Sequence, residues 1–325
     1  MKNIFTTSAV ALAVGVAMVA PAAADTSITG SVRIGGLFDD GSGEDDISIS
    51  SLGSRFIMAS DEDIGGGLRG IGRIEVGINP GITSGAGRLS GSGRGGGFDR
   101  TRQIWGGLAG GFGSIKVGAQ YSTFYDTVTS KGDIAWWGSC FIEFDCARES
   151  NVLKYAGSAA GFSFGASIES VPAGSAAGGT DEDVEEFEVG VGYKFGPVKL
   201  GAAISTNDDG NDSGTLVGFS AVGSFSGVGL SLVLQSADEE FANDTDDNTV
   251  VTVTGSYAGF YALFTSRDTD ATTPTSFTLG YQWNIAKNTL MYFEFQQLDA
   301  DDGSDENSIG RAILKRDFKV FNSGS

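Results

Sequence analysis

The chain has 325 residues, of which 51 are glycine and 5 are proline, and it contains no histidine. Its 41 acidic and 21 basic side chains give a formal net charge of -20, which argues against nucleic acid because phosphate recognition needs a basic face. Hydrophobic residues make up 40%, too many for a disordered acidic chain, and the missing histidine removes Ser-His-Asp catalysis and histidine-ligated metal sites.

Residues 1–24 have the pattern of a secretory signal peptide. Lys2 precedes an apolar run over residues 9–19, and small residues follow at 22–24, where a signal peptidase would cut. The run is shorter than the roughly 20 residues that a transmembrane helix needs. We therefore predict cleavage before Asp25, export from the cytoplasm, and a single domain over residues 25–325.

After Asp25, apolar residues recur at every second position, which is the spacing of β-strands with two unlike faces. Over residues 277–285 the odd positions are large and apolar, whereas the even positions are Thr278, Gly280 and Gln282, followed by an asparagine. A soluble β-sandwich has the same alternation, so the connections between the strands have to decide between the two architectures.

The connections alternate between tight turns and long polar loops. Counting the segments between them gives 16 strands, with eight long loops on one side and seven short turns on the other. This arrangement predicts an all-β fold, a 16-stranded antiparallel transmembrane β-barrel of the outer-membrane type. Tight turns are expected at residues 109–113, 157–161, 195–197, 225–227, 257–259 and 285–288.

Three stretches resemble the general trimeric porins of Gram-negative bacteria. Residues 54–75 (SRFIMASDEDIGGGLRGIGRIE) are similar to that family's second and third strands, and residues 102–126 (RQIWGGLAGGFGSIKVGAQYSTFYD) to its fourth and fifth. Residues 148–168 (RESNVLKYAGSAAGFSFGASI) resemble the strand pair after its third loop. The resemblance implies a homotrimer in the outer membrane, in contact with lipid and lipopolysaccharide, whose loop 3 folds into the lumen and narrows the pore.

In that family, acids on loop 3 face a basic cluster on the opposite wall. Strand alternation points five arginines of this chain into the lumen, since a mid-strand arginine facing lipid would cost about 2–4 kcal/mol. Opposed charges across a narrow pore sieve solutes by charge. The expected basic residues are Arg33, Arg55, Arg69, Arg73 and Arg102, and the expected loop 3 acids, in residues 122–149, are Asp126, Asp133, Glu143, Asp145 and Glu149.

Cys140 and Cys146 are the two cysteines, and both fall in loop 3. Because an exported protein keeps its disulfides, we predict that they are bonded and stiffen the constriction. A zinc site would need two more soft ligands, which a chain without histidine does not supply. The neighbouring Trp136 and Trp137 offer a stacking platform for sugars, although packing of the loop against the wall is the favoured interpretation.

Several long loops are densely acidic, for example residues 238–247 and 299–306. A solvated surface is the favoured interpretation, with loosely bound calcium as the alternative and no other cofactor expected. An acidic vestibule enriches cations, so weak cation selectivity is expected. The predicted function is passive diffusion of ions and small hydrophilic solutes; the alternatives are a substrate-selective porin and a non-conducting structural barrel. The chain departs from the family by continuing seven residues beyond Phe318.

Overall fold

The fold is taken from a computed structural model. It describes residues 25–40, 46–79, 97–136, 139–140, 142–146, 148–170, 186–208, 213–242, 244, 247–269, 271–303 and 306–322. The signal peptide predicted for residues 1–24, the second tryptophan of the predicted stacking pair at position 137, and parts of the acidic loops lie outside these ranges.

In the part of the chain that the structure describes, seventeen strand segments form one antiparallel sheet that closes on itself. Closure is made by pairing of the first and last segments, with Arg33 opposite Lys315 and Gly30 opposite Phe318. The segments are β1 (Asp25–Asp39), β2 (Asp46–Ser51), β3 (Arg55–Gly65), β4 (Leu68–Asn79), β5 (Gly97–Gly110), β6 (Gly113–Tyr121), β7 (Arg148–Ala159), β8 (Phe162–Glu169), β9 (Glu186–Phe195), β10 (Val198–Asp208), β11 (Ser213–Phe225), β12 (Val228–Ala237), β13 (Asn248–Tyr257), β14 (Phe260–Asp268), β15 (Thr275–Ala286), β16 (Thr289–Asp299) and β17 (Asn307–Asn322).

The 17 segments occupy 16 positions around the barrel because β2 and β3 share one. β2 pairs with the second half of β1, whereas β3 pairs with its first half, and Leu52 to Ser54 interrupt the strand between them. The predicted 16-stranded antiparallel barrel is therefore confirmed. The short turns also lie where the sequence places them, at Gly111, Gly161, Gly196, Gly227, Gly259 and Asn288, and a seventh lies at Gly66.

The barrel is apolar outside and polar inside, the reverse of a water-soluble core. On β15, Phe277 and Leu279 are 41% and 49% exposed, whereas Thr278 between them is fully buried. On the neighbouring β16, Phe295 is exposed and Gln296 is buried. Because successive side chains of a strand point to opposite faces, this alternation separates a lipid-compatible outer surface from a hydrophilic inner one.

The chain between β6 and β7, residues 122–147, is called the β6–β7 segment here. It contains the helix α1 (Thr123–Thr127) and a 3-10 turn at Thr129–Lys131. A second short helix, α2 (Glu239–Ala242), lies between β12 and β13. Among the residues that the structure describes, no helix is long and apolar enough to cross a membrane.

The β6–β7 segment packs against the face of the barrel wall that carries the polar side chains. Phe124 and Val128 of the segment are fully buried against Leu216, Val233 and other residues of β10 to β13. Glycine permits the close approach of this segment to the wall. A Cβ on Gly218 would lie 2.4 Å from the Phe124 ring, and one on Gly201 would lie 2.5 Å from the Thr127 carbonyl oxygen.

Candidate pore constriction

Glu75 lies at the centre of a basic cluster formed by three neighbouring strands. Its carboxylate is 1% exposed and accepts from Arg55 Nη1 at 3.1 Å, Arg73 Nη2 at 2.6 Å and Arg102 Nε at 2.8 Å. Gln103 Nε2 donates to the same carboxylate at 3.2 Å. One carboxylate thus holds three guanidinium groups, which leaves the cluster with a surplus of positive charge.

Alternation explains why these side chains meet. On β4, Arg73 and Glu75 are in phase, and the intervening Ile74 is 38% exposed on the outer face. The register places Glu75 opposite Gln103 of β5 and Ile57 of β3, so that inward side chains from three strands converge on it. Alternation accounts for Arg55 and Arg73, whereas a register irregularity in the β4–β5 pairing next to Glu75 lets the sequence neighbours Arg102 and Gln103 both reach its carboxylate.

Arg148 adds a further positive charge beside this cluster. Its guanidinium lies 4.3 Å from the centre of the Tyr121 ring and donates to the Tyr121 hydroxyl. The Tyr121 ring in turn stacks on Tyr125 at 4.2 Å between centroids. The residue belongs to β7 rather than to the loop, as does Glu149, so the loop ends two residues earlier than the sequence interpretation placed it.

Arg33 connects the first strand to the β6–β7 segment. Its guanidinium lies 4.2 Å from the centre of the Trp136 ring, a cation–π distance, and its Nε donates to Ser31 Oγ at 2.8 Å. The Trp136 backbone N–H donates to Glu294 on β16, and its ring lies 4.8 Å from that of Tyr292. Trp136 therefore packs the segment against the wall, in agreement with the favoured of its two predicted roles.

Arg69 stands apart from the cluster. It pairs with Asp61 across the β3–β4 hairpin, next to the tight turn at Gly66, and both side chains are about half exposed. The structure therefore brings together Arg55, Arg73 and Arg102, whereas Arg69 forms an ion pair with Asp61 at the short-turn end of the barrel.

Two of the predicted acids contact side chains near α1. Asp126 is exposed and forms an ion pair with Lys154 Nζ at 2.5 Å, which also donates to the Ser122 backbone oxygen at 2.7 Å. Asp133 is exposed and accepts from the Tyr125 hydroxyl at 2.6 Å. Burial, together with the nearby Asp133 carboxylate, raises the pKa of Tyr125 and keeps it neutral.

Glu143 and Asp145 are largely withdrawn from solvent. Glu143 accepts from the Thr252 hydroxyl of β13, and Asp145 accepts from Ser122 Oγ at 2.6 Å. Burial raises the pKa of Glu143 to about 7, although the Thr252 hydrogen bond opposes the shift. Burial and the negative charge of Glu188 raise the pKa of Asp145. Glu143 therefore helps to attach the segment to the wall, whereas the Asp145 hydrogen bond joins two parts of the segment itself.

Cys140 and Cys146 form the disulfide that the sequence predicts, with their Cα atoms 5.6 Å apart. The bond closes a short loop that contains Glu143 and Phe144. Gln235 of β12 fastens the same loop, because its side chain accepts from the Phe144 backbone N–H and donates to the Phe144 carbonyl, both at 3.0 Å.

Glu143 gives the attachment of the segment a pH dependence. Because its folded pKa of about 7 lies above the ordinary carboxyl value, the folded protein binds more protons than the unfolded chain between pH 4.5 and 7. Stability from this group is thus present at low pH and lost as the pH rises through 7. Between pH 5 and 8, ionisation of Glu143 is expected to lower the free energy of unfolding of the wild type by on the order of 2 kcal/mol. Glu143→Gln should abolish this decrease.

The measurement is urea unfolding of detergent-solubilised protein at both pH values. The matched control is Glu240→Gln, which makes the same chemical change at an exposed position of α2. Identical pH profiles for the wild type and the Glu143 variant would contradict the assignment.

Sequence reasoning assigned no role to three residues that make these contacts. Glu75 and Arg148 were present in the matched stretches without an assigned role, and Lys154 lies in the third of those stretches. Strand phase was the available signal for Glu75, because it lies two residues from Arg73 on β4 and so shares its inward face. The contacts of Arg148 and Lys154 depend on the path of the β6–β7 segment, which periodicity does not report.

A closed 16-stranded barrel with an apolar exterior and a charged interior is the architecture of bacterial outer-membrane channels. A family model described as Gram-negative porin matches residues 7–303. No curated protein matches the sequence significantly. The chain belongs to the Gram-negative porins, and is accordingly an outer-membrane channel protein without enzymatic activity.

Solved structures agree with this fold at low sequence identity. The anion-selective porin from Comamonas acidovorans is 18% identical, with a TM-score of 0.70 over 91% of this chain and 100% of that one. Salmonella typhi OmpF, in complex with daunomycin, is 17% identical, with a TM-score of 0.69 over 90% of this chain and 97% of that one. The trimer form of OmpT from Vibrio cholerae is 16% identical, with a TM-score of 0.67 over 91% of this chain and 100% of that one.

Proposed function

We propose that this porin is a passive diffusion channel for ions and small hydrophilic solutes, narrowed by the β6–β7 segment within its lumen. The observation that carries the proposal is the set of contacts between this segment and the wall. Its hydrogen bonds to the wall are made to polar side chains, among them Ser167, Glu188, Ser220, Gln235, Thr252 and Glu294.

The proposed constriction places unlike charges on its two sides. Arg55, Arg73 and Arg102 are held by Glu75 on the wall, whereas Asp126 and Asp133 are exposed on the segment. Opposed charges of this kind orient dipolar solutes and exclude those whose charge pattern does not fit. The remaining predicted acids serve as anchors in this proposal, not as pore-lining charges.

We further propose weak cation selectivity, because the formal charge of the chain is -20 and exposed acids such as Glu239, Glu240 and Asp301 lie on the long-loop side. A negative vestibule raises the local cation concentration before ions reach the arginines. The arginine cluster favours the opposite sign, and the Comamonas structure is of an anion-selective porin.

A reversal potential in a tenfold KCl gradient measures this balance. We expect a modest potential of the cation-selective sign at low salt, which shrinks at 1 M as exposed charges are screened. A potential of the anion-selective sign would show that the arginines dominate, and would overturn the selectivity proposal without affecting the diffusion channel.

The proposed assembly is a homotrimer in the outer membrane, in contact with lipid and lipopolysaccharide after cleavage of the signal peptide. Its support is the trimer form reported for OmpT and the broad apolar exterior of the barrel. Cross-linking in mild detergent followed by denaturing electrophoresis tests it, since a species of about three times the monomer mass is expected and a monomer alone would contradict it.

Liposome swelling tests passive diffusion and separates it from the alternatives. Proteoliposomes placed in neutral sugars of increasing size are expected to swell at rates that fall smoothly with solute mass. A substrate-selective porin would show one solute far above this trend, and a non-conducting structural barrel would show no swelling.

A further inference from the structure

A large cavity lies between the β6–β7 segment and strands β7 to β10, on the side of the short turns. Its volume is about 650 Å³, which is the size of a small-molecule binding site. The cavity extends from Thr123 and Thr127 of α1 to Gly161 in the turn between β7 and β8. The described residues that line it include one acid, Asp126, and four lysines: Lys131, Lys154, Lys194 and Lys199. The cavity therefore has a surplus of positive charge.

The barrel register places lysines directly opposite one another at two positions. Lys194 on β9 is opposite Lys199 on β10, and Lys116 on β6 is opposite Lys154 on β7. Lys199 is in phase with Gly201, which lies against the segment, so this pair is on the polar face of the wall. Because like charges at directly opposed positions destabilise a sheet, an anion bound beside them would offset the repulsion.

The two lysine pairs differ in the contacts that they make. Lys154 is 5% exposed and forms the ion pair with Asp126, and Lys116 lies 4.5 Å from the centre of an aromatic ring. Lys194 and Lys199 are exposed, and neither takes part in an ion pair among the residues that the structure describes. The Lys194–Lys199 pair can therefore contact a ligand, whereas Lys154 holds the segment.

Lys131 brings a further positive charge to the cavity from the segment. Its ammonium donates to the Asp126 backbone oxygen and to Ser130 Oγ at 2.9 Å. Burial lowers the pKa of Lys131, and the positive charges of Lys199 and Lys154 lower it further, although Asp126 opposes the shift. The lysines of the segment and of the wall are therefore close enough to repel one another across the cavity.

Hydroxyl groups add neutral hydrogen-bond donors to the lysines. Ser158 on β7 is directly opposite Ser163 on β8, and both residues line the cavity. An ammonium group is a compact point charge with three donors, so a group of lysines recognises the total charge of a ligand, whereas the planar fork of an arginine selects its shape. Such a set of donors suits an anion with several charged oxygens.

We propose that this cavity binds small oxyanions that carry two or more negative charges, such as pyrophosphate, between the Lys194–Lys199 pair and the β6–β7 segment. The affinity is expected to rise with the number of charges on the anion. The proposal goes beyond passive diffusion, which needs no binding site. Because the cavity lies toward the short turns, its charge is separate from the long-loop acids that support the proposed cation selectivity.

Isothermal titration of detergent-solubilised protein with sodium pyrophosphate, at pH 7 and low ionic strength, tests the site directly. We expect one saturable site per chain in the wild type, and at least fivefold weaker binding in Lys194→Gln and in Lys199→Gln. Each variant removes one member of a like-charged pair, so the barrel should fold as the wild type does. Lys287→Gln, in the exposed turn between β15 and β16, is the control and should bind as the wild type does.

Competition with smaller anions tests recognition by charge. Inorganic phosphate should displace bound pyrophosphate, whereas acetate at the same ionic strength should not. The proposal would be overturned by equal pyrophosphate affinity in the wild type and both cavity variants, by the absence of a saturable site in the wild type, or by equal competition from acetate. Neither titration depends on ion conduction, so its failure is distinguishable from a failure of the proposed function.

Discussion

Replacement of Glu75 by Gln is expected to lower the free energy of unfolding by about 3 kcal/mol, because it leaves three guanidinium groups without their shared carboxylate. Glu75 is 1% exposed, so water does not substitute for it. The same change removes one negative charge from the arginine cluster, and the reversal potential should move toward the anion-selective sign.

Urea unfolding and a reversal potential in the same KCl gradient measure the two effects. Glu62→Gln on the adjacent β3 is the control, since it removes an acid outside the arginine cluster and should change stability by less than about 0.5 kcal/mol. An unchanged reversal potential for the Glu75 variant would show that the cluster does not face the ion path.

Truncation of Phe124 to Ala is expected to detach the β6–β7 segment from the wall. The ring is fully buried against Val128 and the surface left open by Gly218, so its loss should cost about 3–5 kcal/mol of packing free energy. Because a barrel closed by backbone hydrogen bonds does not depend on this ring, the barrel should survive. A freed segment should raise the single-channel conductance and its fluctuations.

The matched control is Phe219→Ala, next to Gly218 on the opposite face of β11, where the ring is 39% exposed. This variant should conduct as the wild type does. Equal conductance of wild type and the Phe124 variant, with both folded, would show that the segment does not limit the pore.

The barrel could be predicted from the sequence because two local signals determine it. Alternation separates the faces of each strand, as Phe277 and Thr278 illustrate, and the difference between tight turns and long loops gives the strand count. The interruption at Leu52 to Ser54 gave no such signal, so one predicted strand is two segments in the structure. The count of 16 was unaffected, since both segments pair with β1.

The inner side was predictable only in part. The inward phase of Arg55 and Arg73 follows from alternation, whereas the position of Arg102 depends on a register irregularity between β4 and β5. Arg69 has the same phase as Arg73 but lies near a turn, paired with Asp61. Strand alternation shows on which face of the strand a side chain lies, but not how far along the barrel axis it lies. The segment's apolar contacts were also hidden, because Val233 and Val250 lie on strand faces that otherwise carry buried polar side chains such as Gln235 and Thr252.

The acids of the β6–β7 segment show the same limit. Their clustering in sequence predicted one acidic wall, yet Glu143 bonds to Thr252 and Asp145 to Ser122, whereas Glu149 faces the glutamates of β8 and β9. The sequence of a long loop without periodicity does not show in which direction each side chain points. These separate partners could therefore be found only from the path of the chain.

Single-channel recording in a planar lipid bilayer tests the central claim most directly. We expect stepwise openings of uniform size whose conductance rises in proportion to KCl concentration, as a water-filled pore would give. Barrel protein that is folded and inserted but gives no conductance steps at any KCl concentration would contradict it.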